Sequence, residues 1–110
     1  MSDEDQKTPA QEDFHIPMPP PSFSFIVLSL RAQAEMQLGL MRFGEEEKDQ
    51  EPADLQLARH TIDLMAVLLE KTKGNLALEE QRLLENSLTE LRFRFVQVSD
   101  DMAKAAAQKA

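Results

Sequence analysis

Two histidines are the first residues in this sequence whose type suggests chemistry. His60 lies three residues before Asp63, so on a helix the pair would share one face and could supply two metal ligands. A di-iron helical bundle, however, needs Glu and Glu-x-x-His pairs that project inward from several helices, and no position predicted to face inward here is acidic. His15 falls in a polar tail without helical periodicity. We interpret His60 as a surface or interface residue and predict no metal site.

Three other clusters could suggest a ligand, but none has the required context. The Lys-Thr-Lys-Gly-Asn stretch at 71–75 follows a predicted helix rather than a strand and lacks the upstream glycine of a phosphate loop. The acidic run at 45–51 lacks the alternating acids and glycine of a calcium loop, and is typical of a solvated connection. The Arg-Phe-Arg-Phe run at 92–95 could indicate a nucleic-acid surface, but helical spacing assigns Phe95 to a core. We therefore expect no enzyme activity and no cofactor.

The charge of the chain is concentrated outside its predicted helices. The net charge is −8 over 110 residues, a length that allows one domain. Residues 1–21 hold five acids and one lysine, residues 45–54 hold six acids and one lysine, and the remainder is nearly neutral. This acidity opposes nucleic acid and anionic lipid as partners.

The predicted compartment is the cytoplasm. The opening Met-Ser-Asp-Glu-Asp is acidic where a secretory signal is basic, and no apolar core follows it. The longest apolar stretch, residues 23–30, is too short to span a bilayer. The absence of cysteine excludes a disulfide framework and fits a reducing compartment.

Two long amphipathic segments must position whatever surface this protein uses. Both repeat apolar residues every three or four positions, the period of a helix that buries one face. A short connection at 73–76 joins them, so we expect an antiparallel hairpin. The apolar positions of the first arm are Leu55, Ala58, Ile62, Met65 and Leu69, and those of the second are Leu84, Leu88, Leu91, Phe95 and Val98.

The sequence predicts an all-α fold in which an N-terminal helix packs on this hairpin as a three-helix unit. The helices span about 22–38, 54–73 and 78–98, after a disordered acidic and Pro-rich tail at 1–21 and before a frayed helical tail at 99–110. Among the cap signals, Ser22 is a favourable N-cap, whereas Ala77 is a weak one. Gly39 and Gly74 lie where helices commonly end. The Pro-rich stretch is interpreted as a spacer, with a docking ligand as the alternative.

The first helix carries more apolar surface than one hairpin can cover. Its opening residues are apolar nearly all round the helix, and only Ser24 and Ser29 interrupt them. A β-strand is the competing interpretation because of the Phe and β-branched residues. We predict a homo-oligomer, with a dimer favoured; the alternative is an adaptor whose first helix docks on a different protein. The predicted interface residues are Phe23, Phe25, Ile26, Val27, Leu28 and Leu30.

A series of short motifs resembles a known family. The most specific are Leu-Ala-Arg-His-Thr-Ile-Asp-Leu at 57–64 and Leu-Leu-Glu-Lys-Thr-Lys-Gly-Asn-Leu at 68–76. The chain resembles, over about residues 22–97, a bacterial family of short helical proteins known only as a domain of unknown function. Members of that family have Thr-Pro where this chain has Ala77-Leu78. The resemblance implies a bacterial cytoplasmic protein and supplies no catalytic residue.

Overall fold

The computed structural model describes residues 17–41 and 52–109, and the regular structure in these residues is entirely helical. Helix α1 spans Phe23–Gln37, α2 spans Leu55–Lys71 and α3 spans Leu78–Lys109. All three helices pack against one another. The predicted all-α three-helix fold is confirmed, and the alternative of a strand at residues 23–30 is wrong.

The ends of α1 follow the cap signals of the sequence. The Ser22 side chain accepts a hydrogen bond from the amide of Phe25 at 3.0 Å. At the other end Gly39 adopts a φ of 74°, and its amide donates to the carbonyl of Met36. The amide of Leu40 donates to the carbonyl of Glu35, which completes a Schellman motif. The glycine is required here because a side chain at this φ would be strained.

The start of α3 has no hydroxyl at its N-cap, but an acidic side chain three residues later bonds back to the N-cap amide. Ala77 occupies the N-cap position, as expected, and offers no side-chain acceptor. Glu80 reaches back and accepts a hydrogen bond from the amide of Ala77 at 2.8 Å. This is one half of a capping box, so the helix start is only partly satisfied by side chains. At the start of α2, the Asp54 side chain accepts from the amide of Leu57 at 3.1 Å, and the Asp54 amide donates to the carbonyl of Gln37 at 2.7 Å.

The core lies between the three helices, and each helix contributes to it, together with Leu38 at the C-cap of α1. The antiparallel hairpin is confirmed by its grooves: Leu69 and Leu88 line one near the connection, and Ile62 and Phe95 line another further from it. Ala34 is fully buried, which lets α1 approach the other helices closely. The buried apolar side chains are Val27, Ala34, Leu38, Ala58, Ile62, Met65, Leu84, Leu88 and Leu91.

Helix α3 continues as one unbroken helix past the predicted boundary at residue 98. Residues 100–108 are exposed, and Asp100, Asp101 and Lys104 line a pocket together with Leu40. Fraying of this end remains a prediction. Of the N-terminal tail predicted to be disordered at 1–21, residues 1–16 lie outside the described residues. Pro17 to Pro21 are exposed and without regular structure. Most of the predicted acidic loop, residues 42–51, also lies outside them.

Candidate interaction surface

Among the described residues singled out for chemistry, Asp63 and Arg92 line one groove and Lys73 and Arg92 line another, whereas His60 lines neither. His60 and Asp63 are both exposed on α2. Within residues 17–41 and 52–109, no group of three or more His, Cys, Asp or Glu residues is placed to hold a metal ion. Phe93 is 62% exposed, whereas Phe95 packs against the core as the spacing predicted. The part of α1 that the other two helices leave uncovered is the remaining candidate for a functional surface.

The six predicted interface residues divide into a covered set and an exposed set. Val27 is fully buried in the core of its own subunit, so it does not reach any surface and its assignment to an interface is corrected. Phe23 and Leu30 are half-buried against the core. Phe25, Ile26 and Leu28 remain 38%, 50% and 48% exposed. The hairpin covers one side of α1, and these three large apolar side chains lie outside the covered side.

The charges of α1 are confined to the side that faces α3. The helix has only two charged residues, Arg31 and Glu35, and they form an ion pair at 3.7 Å. Arg31 also pairs with Glu90 on α3. Because Arg31 and Glu35 are one turn apart, they share one edge of the helix, and Leu28 borders that edge. The rest of the outward surface of α1 carries no charge.

Helix α2 extends this uncharged surface. Thr61 is buried beneath α1 and accepts a hydrogen bond from Gln33 Nε2 at 3.4 Å. Leu57 and Leu64 lie about one turn on either side of Thr61 and are 50% and 43% exposed. At the end of the bundle, Met36 of α1 and Leu57 of α2 line the same pocket. The exposed apolar side chains of the two helices therefore adjoin.

We call this surface the α1–α2 face. It contains five exposed apolar side chains, two uncharged polar side chains and no charged side chain. Sequence periodicity could have indicated its α2 part, because the two leucines belong to a second apolar stripe beside the core stripe of that helix. Its members are Phe25, Ile26, Ser29, Gln33 and Met36 of α1 with Leu57 and Leu64 of α2.

Each polar side chain of the α1–α2 face makes at least one hydrogen bond within the chain. The Ser29 hydroxyl donates to the carbonyl of Phe25 at 2.8 Å, inside the helix. The Gln33 amide donates to Thr61, and the Thr61 hydroxyl donates to Gln37 Oε1 at 2.6 Å. Burying a polar group is unfavourable mainly when it loses its hydrogen bonds. These internal bonds reduce the penalty for removing water from the face.

A groove lies between α2 and α3, away from the α1–α2 face. Its volume is about 400 Å³, and its floor includes Leu69 and Leu88. Its rim carries acidic and basic side chains together, including Glu70, Lys73 and Arg92. A rim of mixed charges does not by itself select a particular ligand class.

Comparison with known proteins places the chain without assigning an activity. A family model described as Domain of unknown function (DUF1844) matches residues 20–97, close to the extent of the resemblance in the sequence motifs. No curated protein matches the chain. No solved structure matches it either. Within the described residues, no helix combines the length and apolar character that crossing a membrane requires.

Proposed function

Because the chain belongs to the DUF1844 family, whose function is unknown, we propose its function from its own geometry: it is a non-enzymatic module that associates with a second copy of itself. The observation that carries the proposal is the uncharged α1–α2 face, where Phe25, Ile26 and Leu57 stay exposed in the isolated subunit. A contiguous apolar surface of this kind is typical of protein interaction sites.

The dimensions of the face set the expected strength of association. From Phe25 to Met36 the face runs about 16 Å along α1, at about 1.5 Å per residue. Two adjacent helices make it roughly 20 Å wide, because packed helix axes lie about 8–10 Å apart. The resulting area, on the order of 300 Å², is smaller than the roughly 800 Å² that each partner buries in a standard interface. We therefore expect a dimer with a dissociation constant in the micromolar range.

The charge distribution supports a second copy as the partner. Two identical chains with a net charge of −8 repel one another unless the surfaces that meet are free of charge. The α1–α2 face meets this condition, because the two charged side chains of α1 lie at another edge of the helix, where Arg31 pairs with both Glu35 and Glu90. A two-fold dimer brings the same patch of both copies together, so an uncharged patch is compatible with itself.

Size-exclusion chromatography with light scattering, over a range of protein concentrations, tests this proposal. We expect the measured mass to rise from the 12.5 kDa of one chain toward twice that value as concentration passes through the micromolar range. If the measured mass remains that of one chain at protein concentrations up to about 100 μM, a dimer of the expected micromolar affinity is rejected.

The adaptor hypothesis uses the same face with a different occupant. Mass spectrometry of the proteins that co-purify from the native host distinguishes the two. A foreign protein present in equal amount, together with a monomeric purified chain, would replace the homodimer with the adaptor. We further infer a bacterial cytoplasmic location, which the absence of cysteine supports and which fractionation of the native host tests.

A further inference from the structure

Gln33 is the exposed hydrogen-bonding side chain in the middle of an otherwise largely apolar face. Along α1 it follows Ile26 by two turns and precedes Met36 by about one turn. Across the helix boundary its amide meets Thr61, which lies between Leu57 and Leu64 on α2. Gln33 is itself exposed, so its amide is accessible to a second molecule.

The hydrogen bonds within the chain fix which end of the Gln33 amide points outward. The Thr61 hydroxyl uses its hydrogen to donate to Gln37 Oε1, so Thr61 can only accept from Gln33. The Gln33 amide must therefore turn its nitrogen toward Thr61, as the 3.4 Å contact between Nε2 and Oγ1 shows. A side-chain amide has two N–H donors and one carbonyl acceptor. One N–H and the carbonyl oxygen are left for an intermolecular partner.

We infer that Gln33 sets the register of the dimer by pairing with Gln33 of the second copy across the two-fold axis. This inference rests on the proposed function, because it requires the α1–α2 faces of two copies to meet. In a two-fold interface a residue on the axis faces its own copy. Each amide would donate one N–H to the Oε1 of the other, so that two identical groups satisfy each other.

Such a pair determines specificity because its position in the interface is unique. A polar residue within an apolar helix interface selects one register and one number of subunits. Shifting the two faces by one turn would place each amide against Met36, or against Ser29, whose hydroxyl hydrogen is already donated to Phe25, and so leave at least the amide carbonyl unpaired. The uncharged face argues for a second copy as occupant, and the carboxamide agrees with that choice because it can pair with its own copy without any charge.

A charge-exchange experiment tests the pairing directly. The variants Gln33→Glu and Gln33→Lys each place two like charges on the axis, so we expect each to raise the dimer dissociation constant at least tenfold. An equimolar mixture should form a heterodimer with an affinity within about threefold of the wild type or tighter, measured by sedimentation equilibrium and native mass spectrometry. Circular dichroism of each variant verifies that the helices remain formed.

The matched control changes the same residue type on a different helix. Gln97→Glu adds the same charge to an exposed position on α3, outside the face, and should change the dissociation constant less than twofold. If the wild type dimerises but Gln33→Glu behaves like Gln97→Glu, or if the mixture regains no affinity, the pairing is wrong and the proposed function stands. A wild type that stays monomeric overturns both.

Discussion

Thr61 of α2 donates its hydroxyl hydrogen to Gln37 Oε1 of α1 over 2.6 Å, at a position where Thr61 is 1% exposed. The same hydroxyl accepts from Gln33. This side-chain bridge joins the first helix to the hairpin and aligns the two helices along their axes, because a shift of either helix by one residue would break it. It also lies directly beneath the α1–α2 face.

Removing the Thr61 hydroxyl is expected to destabilise the subunit. Thr61→Val keeps the shape of the side chain but leaves Gln37 Oε1 without its donor, so we expect a loss of about 1 kcal/mol in the free energy of unfolding. Thr89→Val is the control, because Thr89 is exposed and donates only to the carbonyl of Glu85; its expected effect is within about 0.5 kcal/mol. Equal urea midpoints for the two variants would show that the bridge contributes nothing to stability.

Replacement of Leu88 tests the assignment of the core. Leu88 is 2% exposed between the helices, and Leu88→Ala should lower the free energy of unfolding by about 2–5 kcal/mol through lost burial and a residual cavity. Leu78→Ala, at a leucine that is 61% exposed, should have an effect of about 0.5 kcal/mol or less. Chemical denaturation at one fixed protein concentration measures both. A loss below about 1 kcal/mol for Leu88→Ala contradicts its place in the core.

Removing the hydroxyl of Ser87 is not expected to lower the stability, unlike the changes at Thr61 and Leu88. Its Oγ is buried and meets no hydrogen-bond partner among the described residues. Ser87→Ala removes a group whose desolvation is unfavourable by about 1–3 kcal/mol and introduces the better helix former, so we expect the stability to stay equal or to rise. Thermal unfolding followed by circular dichroism measures the change. A fall of more than about 1 kcal/mol would mean that the hydroxyl has a partner in solution.

The incomplete cap of α3 can be completed by one substitution. Glu80 already occupies the N3 position of a capping box, three residues after the N-cap. Ala77→Ser would add the missing acceptor at the N-cap and should stabilise the protein by about 0.5–1 kcal/mol. Ala103→Ser, in the exposed interior of the same helix, should instead lose up to about 0.5 kcal/mol. If both substitutions lower the melting temperature alike, the proposed cap geometry at Ala77 is incorrect.

A charge on the α1–α2 face is expected to separate the subunits without unfolding them. Phe25→Glu places a carboxylate among the apolar side chains of the proposed interface, and buried unpaired charge strongly opposes association. Light scattering should then report one chain, while the far-ultraviolet circular dichroism stays helical. The control is Phe93→Glu on α3, where the phenylalanine is 62% exposed and outside the face.

Two outcomes of the Phe25 experiment would contradict this prediction. A dimer that survives Phe25→Glu would place the interface elsewhere on the subunit. Complete loss of helicity would instead mean that the folding of the subunit and the formation of the interface depend on one common core.

The caps and periodicities were sufficient to predict the individual helices. The signals are local, because the formation of a helix depends on residues within about one turn of each other. They are Ser22, Gly39 and the alternating three- and four-residue spacing in α2 and α3. The Ala-rich composition of the end of the chain also predicted a helical tail at 99–110, and α3 continues as helix to Lys109.

The sequence by itself determined that α1 is a helix with apolar residues on nearly every side, and that two further helices pack as a hairpin. It could not determine which of those residues would be covered, because periodicity gives no direction on a helix that is apolar all round. Only the tertiary structure decided that Val27 enters the core while Phe25 and Ile26 stay outside. It also added Leu57 and Leu64 to the same face, because the adjacency of two helices depends on how they pack and not on the spacing within either one.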